Sequence, residues 1–153
     1  MKKLKLFVIA VLGVVSASMY VSAQDYKHPY GLIEKDGKVI DASGKHLGWV
    51  TADGIVKDEK GTKIAHLDSD GNLVDTKTGK KLGKAEKNGN YVYAFSKTAD
   101  DKLTVSEPMN GTCEVKDGDG KVVVSVHENY KQIGACAYHC LSAKSKGQAM
   151  KMK

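Results

Sequence analysis

Three cysteines and one histidine are the residues of this chain whose types and spacing best suit chemistry. Cys136, His139 and Cys140 lie within one short segment, and Cys113 lies upstream of them. Thiolates and imidazole are preferred zinc ligands, so the four side chains would supply one structural site. The spacing departs from the usual paired zinc pattern and from a haem attachment motif. Because the chain also has an export signal, described below, the pattern favours a disulfide over a metal site.

The pairing of these thiols depends on residues 128–141, which fit either a helix or a strand. In a strand, Cys136 and Cys140 would lie about 13 Å apart, beyond the ~7 Å between Cα atoms that a disulfide spans. In a helix they would lie about 6 Å apart on one face, which would leave Cys113 free. We favour a strand over 135–141, because it would close the sheet predicted below. A disulfide is therefore expected from Cys113 to Cys136 or Cys140.

Other polar motifs are better explained by structure than by chemistry. Asp68, Asp70 and Asn72 surround Gly71 as in a calcium loop, but the glycine is misplaced and the closing acid of an EF-hand is absent. No Ser, His and Asp grouping has the context of a catalytic triad, and no glycine-rich phosphate loop occurs. We therefore predict no catalytic residues, no metal ligands, no cofactor and no enzyme activity.

A repeat of turn and apolar residues organises the chain from Tyr30 to Phe95. Asp-Gly or Asn-Gly pairs recur at intervals of 17 or 18 residues, beginning at Asp36, Asp53, Asp70 and Asn88. A fifth pair begins at Asp119. These pairs are strong hairpin signals, and we assign them type I′ turns. A second kind of turn, from Asp to Gly, alternates with them at 41–44, 58–61 and 75–79.

Apolar residues between the turns align in columns that predict one inward face per strand. The residues predicted to point inward are Val39, Leu47, Val56, Ile64, Leu73 and Leu82, and those predicted to be exposed are Lys38, Lys57 and Lys63. One short hairpin buries little by itself, so neighbouring hairpins must complete the core. We predict an all-β fold, a closed ring of about five hairpin repeats with pseudo-symmetry. An open β-solenoid is the alternative, although it would expose an edge strand at each end.

The repeats also resemble a known family. The phrases GLIEKDGKVIDASGKHLGWV, DGIVKDEKGTKIAHLDSDGNLVDTKTGKKLG and NGNYVYAF are similar to the 5-fold β-flower proteins, small exported bacterial proteins whose repeat reads approximately I-x-x-D/N-G-x-V-x-D-x-x-G-x-x-I-G. The resemblance covers residues 30–95. It implies a ring architecture that agrees with the five hairpin centres, and it implies no activity or catalytic residues.

The rest of the chain divides into segments around one repeat domain at 30–141. Residues 24–29 are a predicted linker. Residues 96–112 lack apolar periodicity and are predicted to be a polar loop inserted in the domain. Residues 142–153 are rich in Lys and are predicted to be a basic, disordered tail.

The N-terminus has the features of a secretory signal peptide over residues 1–23. Lysines precede an apolar run, and small residues lead to a predicted cleavage after Ala23. The run is shorter than the about 20 residues that span a bilayer, and no second such run follows. We expect export to the periplasm or the extracellular space, with no transmembrane segment in the mature protein.

Charge argues against a nucleic-acid partner. The formal net charge is +6, but every basic residue is Lys, and three of the lysines lie in the predicted signal peptide. The bidentate guanidinium that reads phosphate and guanine is therefore absent.

These patterns predict an exported, non-enzymatic protein with a binding or structural role. Trp49, Tyr91 and Tyr93 could form an aromatic platform for a glycan or peptide, but aromatic residues at repeat positions are more often core. The alternative is an envelope metal-binding protein that uses the C-terminal Cys and His residues.

Overall fold

A computed structural model describes residues 29–93 and 102–151, in which eleven strands are followed by one helix. A 3₁₀ turn at Glu128–Tyr130 leads into helix α1, Lys131–Lys151. The strands are β1 Gly31–Ile33, β2 Lys38–Ile40, β3 His46–Val50, β4 Ile55–Asp58, β5 Lys63–Leu67, β6 Asn72–Asp75, β7 Lys81–Ala85, β8 Tyr91–Tyr93, β9 Lys102–Val105, β10 Thr112–Lys116 and β11 Val122–His127.

The strands form one closed barrel in chain order. Each strand pairs antiparallel with the next, and β1 closes the barrel by pairing parallel with β11, where Gly31 lies opposite Val124. An odd number of strands in an up-and-down order makes this closing pair parallel. A closed, mostly β ring is thus confirmed, and the open-solenoid alternative is wrong because both terminal strands are paired.

Most of the turns share one hydrogen-bond pattern instead of two, and the turn at 75–80 is one residue longer. In the turns at 34–38 and 41–45, the first residue's N–H donates to the carbonyl four positions on, and the glycine N–H donates back to the first residue's carbonyl. The glycines have positive φ, but among described non-glycine residues only Asn110 does. The predicted type I′ turns are therefore wrong, because they need positive φ at both central positions. These loops are type I turns followed by a left-handed glycine.

The turns fall on two ends of the barrel. We call the end where α1 begins the entry end, with turns at 34–37, 51–54, 68–71 and 86–89. The end toward which α1 runs is the exit end, with turns at 41–44, 58–61, 75–79 and 117–120. The Asp119-Gly120 pair therefore belongs to the opposite set from the four pairs with which the sequence grouped it.

β-bulges explain the paired apolar and small residues of the repeat. Val39 lies opposite Gly48 and Ile40 opposite His46, so Leu47 is the extra residue of β3. The same register shift makes Ile64, Leu82 and Val123 extra residues. A bulge lets two successive residues face one side of the sheet. As a result Leu47 is buried, and the other three pack against the core.

The burial pattern mostly agrees with the predicted inward positions. Val39, Leu47, Val56 and Leu73 are buried, whereas Ile64 and Leu82 are partly buried. Of the lysines predicted to be exposed, Lys63 is exposed, and Lys38 and Lys57 are intermediate.

Helix α1 lies inside the barrel. Five successive residues, Ile133–Ala137, are buried, as expected for a helix surrounded by protein. The helix packs on β1, β3, β7, β9 and β11. Small residues permit this approach, since a Cβ on Gly134 would collide with Val126. The strand predicted over 135–141 is therefore wrong, because a short run of mostly small residues suits a close-packed central helix.

Two other predicted segments need correction. Part of the predicted disordered tail, 142–151, continues α1. The predicted loop at 96–112 contains β9, which completes the barrel between β8 and β10. The predicted signal peptide, residues 24–28 of the linker, and residues 94–101 lie outside the described residues. No helix in the described part of the chain is long and apolar enough to cross a membrane.

Candidate ligand-binding cleft

The structure does not assemble the Cys and His residues into one site. Cys113 is on β10, whereas Cys136, His139 and Cys140 are on α1, and all three thiols are free. Among residues 29–93 and 102–151, no three His, Cys, Asp or Glu side chains are grouped to hold a metal. The disulfide from Cys113 stays a prediction, but the strand geometry on which it rested is wrong.

The helix thiols are held in their neutral form. Burial raises the pKa of Cys136 above its usual range, and its Sγ donates to the Ile133 carbonyl at 3.0 Å. Burial, aided by the Asp75 charge, raises the pKa of Cys140 to about 11. Both side chains therefore lack the thiolate character that nucleophilic chemistry needs at neutral pH.

The motif that looks like a calcium loop is a turn. Asp68 Oδ1 accepts from the backbone N–H groups of Asp70 and Asn72 at 2.9 and 2.8 Å. The Asn72 amide donates to both carboxylate oxygens of Asp68. These bonds close the loop around Gly71, as the hairpin interpretation expects.

A cleft of about 920 Å³ lies between α1 and the strands β4 to β8, toward the exit end. Of the strands around it, α1 packs on β1, β3, β7, β9 and β11 and lies farther from β4, β5, β6 and β8. Its less exposed lining includes Ile64, Leu82, Tyr91, His139 and Cys140, and its exposed rim consists of Thr62, Lys63, Thr76, Lys77 and Ala143. The volume lies within the ~300 to 1,000 Å³ of typical small-molecule sites.

Tyr91 forms part of the inner wall. Its side chain is fully buried, and its ring lies over Gly83, where a Cβ would collide with the phenol. The ring centroids of Tyr91 and His139 are 5.7 Å apart at an interplanar angle of 45°. Burial lowers the pKa of His139, so the imidazole is neutral at neutral pH. The inner wall is therefore aromatic and uncharged.

An ion pair joins α1 to the barrel wall beside the cleft. Lys144 Nζ donates to Asp58 Oδ2 at 2.9 Å, and the Asp58 residue is only 8% exposed. Its other oxygen accepts from the backbone N–H groups of Lys60 and Thr62 at 3.0 and 2.9 Å. The hydrogen bond from Lys144 is the main reason that the pKa of Asp58 is lowered despite burial.

The rim carries lysines whose charges remain available. Asp75 is already engaged, because its carboxylate accepts from the N–H groups of Lys77 and Thr78 and from the Thr78 hydroxyl. Those bonds, led by the Thr78 amide, hold the pKa of Asp75 below its ordinary value. Among the described residues, no carboxylate lies within ion-pair distance of the Lys63 or Lys77 ammonium, although the Lys77 charge contributes to the lowered pKa of Asp75.

A second, smaller cleft of about 500 Å³ lies on another side of α1. The Tyr138 ring covers Gly31 there, and Lys45 Nζ donates to Ser145 Oγ at 3.1 Å. Burial raises the pKa of Tyr138. Its lining is more polar than that of the larger cleft and includes Asp41, Asp117, Lys121 and Lys146.

The suggested aromatic platform is not assembled. Tyr91 is inside the barrel, whereas Trp49 is partly exposed on β3 and packs edge-on against His46, with ring centroids 4.9 Å apart. The side chain of Tyr93 lies outside the described residues.

Sequence reasoning missed the main cleft because its lining combines five strands with one helix face. His139, Cys140 and Ala143 mark that face by helical spacing, but the signal has meaning only once 131–151 is known to be a helix. No protein-family model, curated protein or solved structure matches the chain. The resemblance to 5-fold β-flower proteins therefore stays a prediction.

Proposed function

We propose that this chain is an exported, non-enzymatic binding protein that holds a small ligand with an apolar body between α1 and strands β4 to β8. The observation that carries this proposal is the 920 Å³ cleft, whose inner lining of Ile64, Leu82 and Tyr91 meets solvent at a polar rim. Apolar concave sites with a few placed polar groups are the usual form of ligand pockets. Export is supported by the signal features of residues 1–23.

The chemistry of the lining favours binding over catalysis. The Cys140 thiol is protonated at neutral pH because burial raises its pKa. Asp58 and Asp75 already accept several hydrogen bonds, and their lowered pKa values oppose a role as general acids. The cleft therefore offers surface and charge without an activated nucleophile.

We also infer that the barrel consists of five two-strand units, β2–β3 to β10–β11, with β1 as an added closing strand. The support is local. Four of the units contain a bulge with an extra residue at Leu47, Ile64, Leu82 or Val123. In the remaining unit, β8–β9, the residues that connect the two strands lie outside the described part of the chain.

Binding of an uncharged solvatochromic dye such as Nile red tests the proposed function. We expect the purified protein to raise the dye's fluorescence with a saturable isotherm. Ala143→Phe should lower the dye's affinity at least fivefold, because Ala143 is on the rim of the cleft. The matched control is Ala52→Phe, at an exposed turn of the entry end. Absence of saturable binding, or equal loss in both variants, would reject the proposal.

A further inference from the structure

We infer that the ligand of this cleft is an anionic amphiphile, with its acidic group at Lys63 and Lys77 and its apolar body against Ile64 and Leu82. This inference rests on the proposed function and adds the ligand's chemical class and orientation. It follows from which charges at the site are already satisfied and which are not.

The acids of the site are satisfied within the protein. Asp58 is paired with Lys144 at 2.9 Å and accepts two backbone N–H groups. Asp75 accepts two backbone N–H groups and a hydroxyl of its own turn. Asp58 is neutralised by Lys144, so the charged side chains that remain in the lining are Asp75, Lys63 and Lys77. Their combined charge is positive, which favours an anion over a cation.

The lysines at the rim have the opposite status. Lys63 begins β5, Lys77 lies in the neighbouring turn, and both residues are exposed. A backbone hydrogen bond from Thr76 to the Ile64 carbonyl, 2.9 Å long, joins the two segments that carry them. Two ammonium groups on joined segments can converge on one acidic group. A charge-assisted contact of this kind is stronger than a neutral hydrogen bond.

The inner wall fixes the orientation of the ligand. Tyr91 is fully buried and packs beside His139, whose burial keeps the imidazole neutral at neutral pH, so this part of the cleft offers no charge to an anion. Burying an ionised carboxylate without a partner is strongly unfavourable. The acidic group therefore stays at the rim, while the apolar body replaces water against Ile64 and Leu82.

The distribution of charge between the two ends of the barrel also favours an anionic ligand. Turns of the entry end are rich in carboxylates: Glu34, Asp36, Asp53, Asp68, Asp70, Glu86, Glu107 and Glu128. Lysines accompany the acids around the exit end: Lys45, Lys60, Lys63, Lys77, Lys80, Lys121, Lys144 and Lys146. The entry end also carries Lys35, Lys38, Lys87 and Lys131, and the exit end also carries Asp41, Asp58, Glu59, Asp75, Asp117 and Asp119. Among the described residues of these turns, acids therefore outnumber lysines at the entry end and lysines outnumber acids at the exit end, which raises the local concentration of anions where the cleft lies.

Three probes with the same ten-carbon chain test the inference by displacement of Nile red, with the two ionic probes below their micelle concentrations and the alcohol below its solubility limit. They are decanoate, decanol and decyltrimethylammonium. We expect decanoate to bind at least tenfold more tightly than the cation and several-fold more tightly than the alcohol. Lys63→Gln/Lys77→Gln should weaken decanoate about tenfold and leave decanol unchanged.

The control is Lys60→Gln/Lys80→Gln, which removes two exposed lysines of the exit end that do not line the cleft. Its affinity for decanoate should change less than twofold, and urea unfolding verifies that both double variants are folded. Equal loss in both double variants would overturn contact with the rim lysines. Equal binding of the three probes would overturn the anionic class but leave the proposed function standing. Failure of every probe, and of Nile red, would reject the proposed function itself.

Discussion

The two ends of the barrel are built from nearly the same turn, yet they pack differently. Gly37 at the entry end and Gly44 at the exit end have φ of +86° and +85°. The Gly37 carbonyl accepts from the N–H of Val50 at 2.8 Å, and a Cβ on Gly37 would collide with the Val50 carbonyl oxygen. Around Gly44 a Cβ would meet nothing within 4 Å.

The same contrast recurs at other turns. A Cβ on Gly71 would lie 2.7 Å from the Ala85 carbonyl oxygen, and one on Gly89 would collide with the Lys131 carbonyl oxygen. No such contact exists at Gly61 or Gly120 of the exit end. Local sequence therefore selects the turn, and the neighbouring backbone decides how tightly the turn is packed. At the entry end this packing is tight at Gly37, Gly71 and Gly89, whereas a Cβ on Gly54 would meet only the Leu67 side chain and one on Gly111 would meet nothing within 4 Å.

Replacing Gly37 and Gly44 by alanine should give the largest difference in stability between the two ends. Gly37→Ala is expected to lower the free energy of unfolding by about 3 to 4 kcal/mol, because overpacking adds to the left-handed penalty of ~1 to 2 kcal/mol. Gly44→Ala should lower it by about 1 to 2 kcal/mol, since only the penalty applies. Urea unfolding of the two variants measures the difference. Equal losses would show that the ends do not differ in packing.

The sequence predicts the turns and the closed ring because both follow from local chemistry. Asp-Gly pairs require a left-handed glycine, and short strands with one inward residue need neighbours. The type I′ assignment failed because the Asp and Asn residues before the glycines keep negative φ. Bulges were unrecognised as such, although the repeated apolar and small pair at Leu47 and Gly48 is their sequence signal.

The helix and the cleft were beyond this reasoning. The segment 135–141 has apolar residues on all sides, so neither a helical nor a strand period is decisive. Its state is fixed by the interior of the barrel, where Gly134 must approach Val126 closely. The cleft depends in turn on the helix lying nearer to some strands than to others. The position of the helix depends on the assembled fold and cannot be predicted from any single segment of the sequence.

Ion pairs give a second, smaller test of the two ends. Asp58→Ala at the exit end should lower the free energy of unfolding by about 1 to 3 kcal/mol, because a buried carboxylate with Lys144 and two N–H groups is lost. Glu86→Ala at the entry end should lower it by less than about 1 kcal/mol, since its pair with Lys102 is long and exposed. Thermal or urea unfolding compares them. A larger loss of unfolding free energy for Glu86→Ala than for Asp58→Ala would contradict the stronger ion pair expected at the exit end.

Lowering the pH should change the free energy of unfolding least, in two pH windows. The first reports on His139 in the interior, and the second reports on Asp58 at the exit end. Burial lowers the pKa of His139, so its stabilising contribution is full above the ordinary value of 6.5 and declines as pH falls toward the lower folded value. The hydrogen bond from Lys144 lowers the pKa of Asp58, so that contribution declines only below 3.8. We expect His139→Gln to flatten the first decline and Asp58→Asn the second, in unfolding measured from pH 8 to 2. A wild-type profile that is flat through both windows would contradict the burial of His139 and the pairing of Asp58 together.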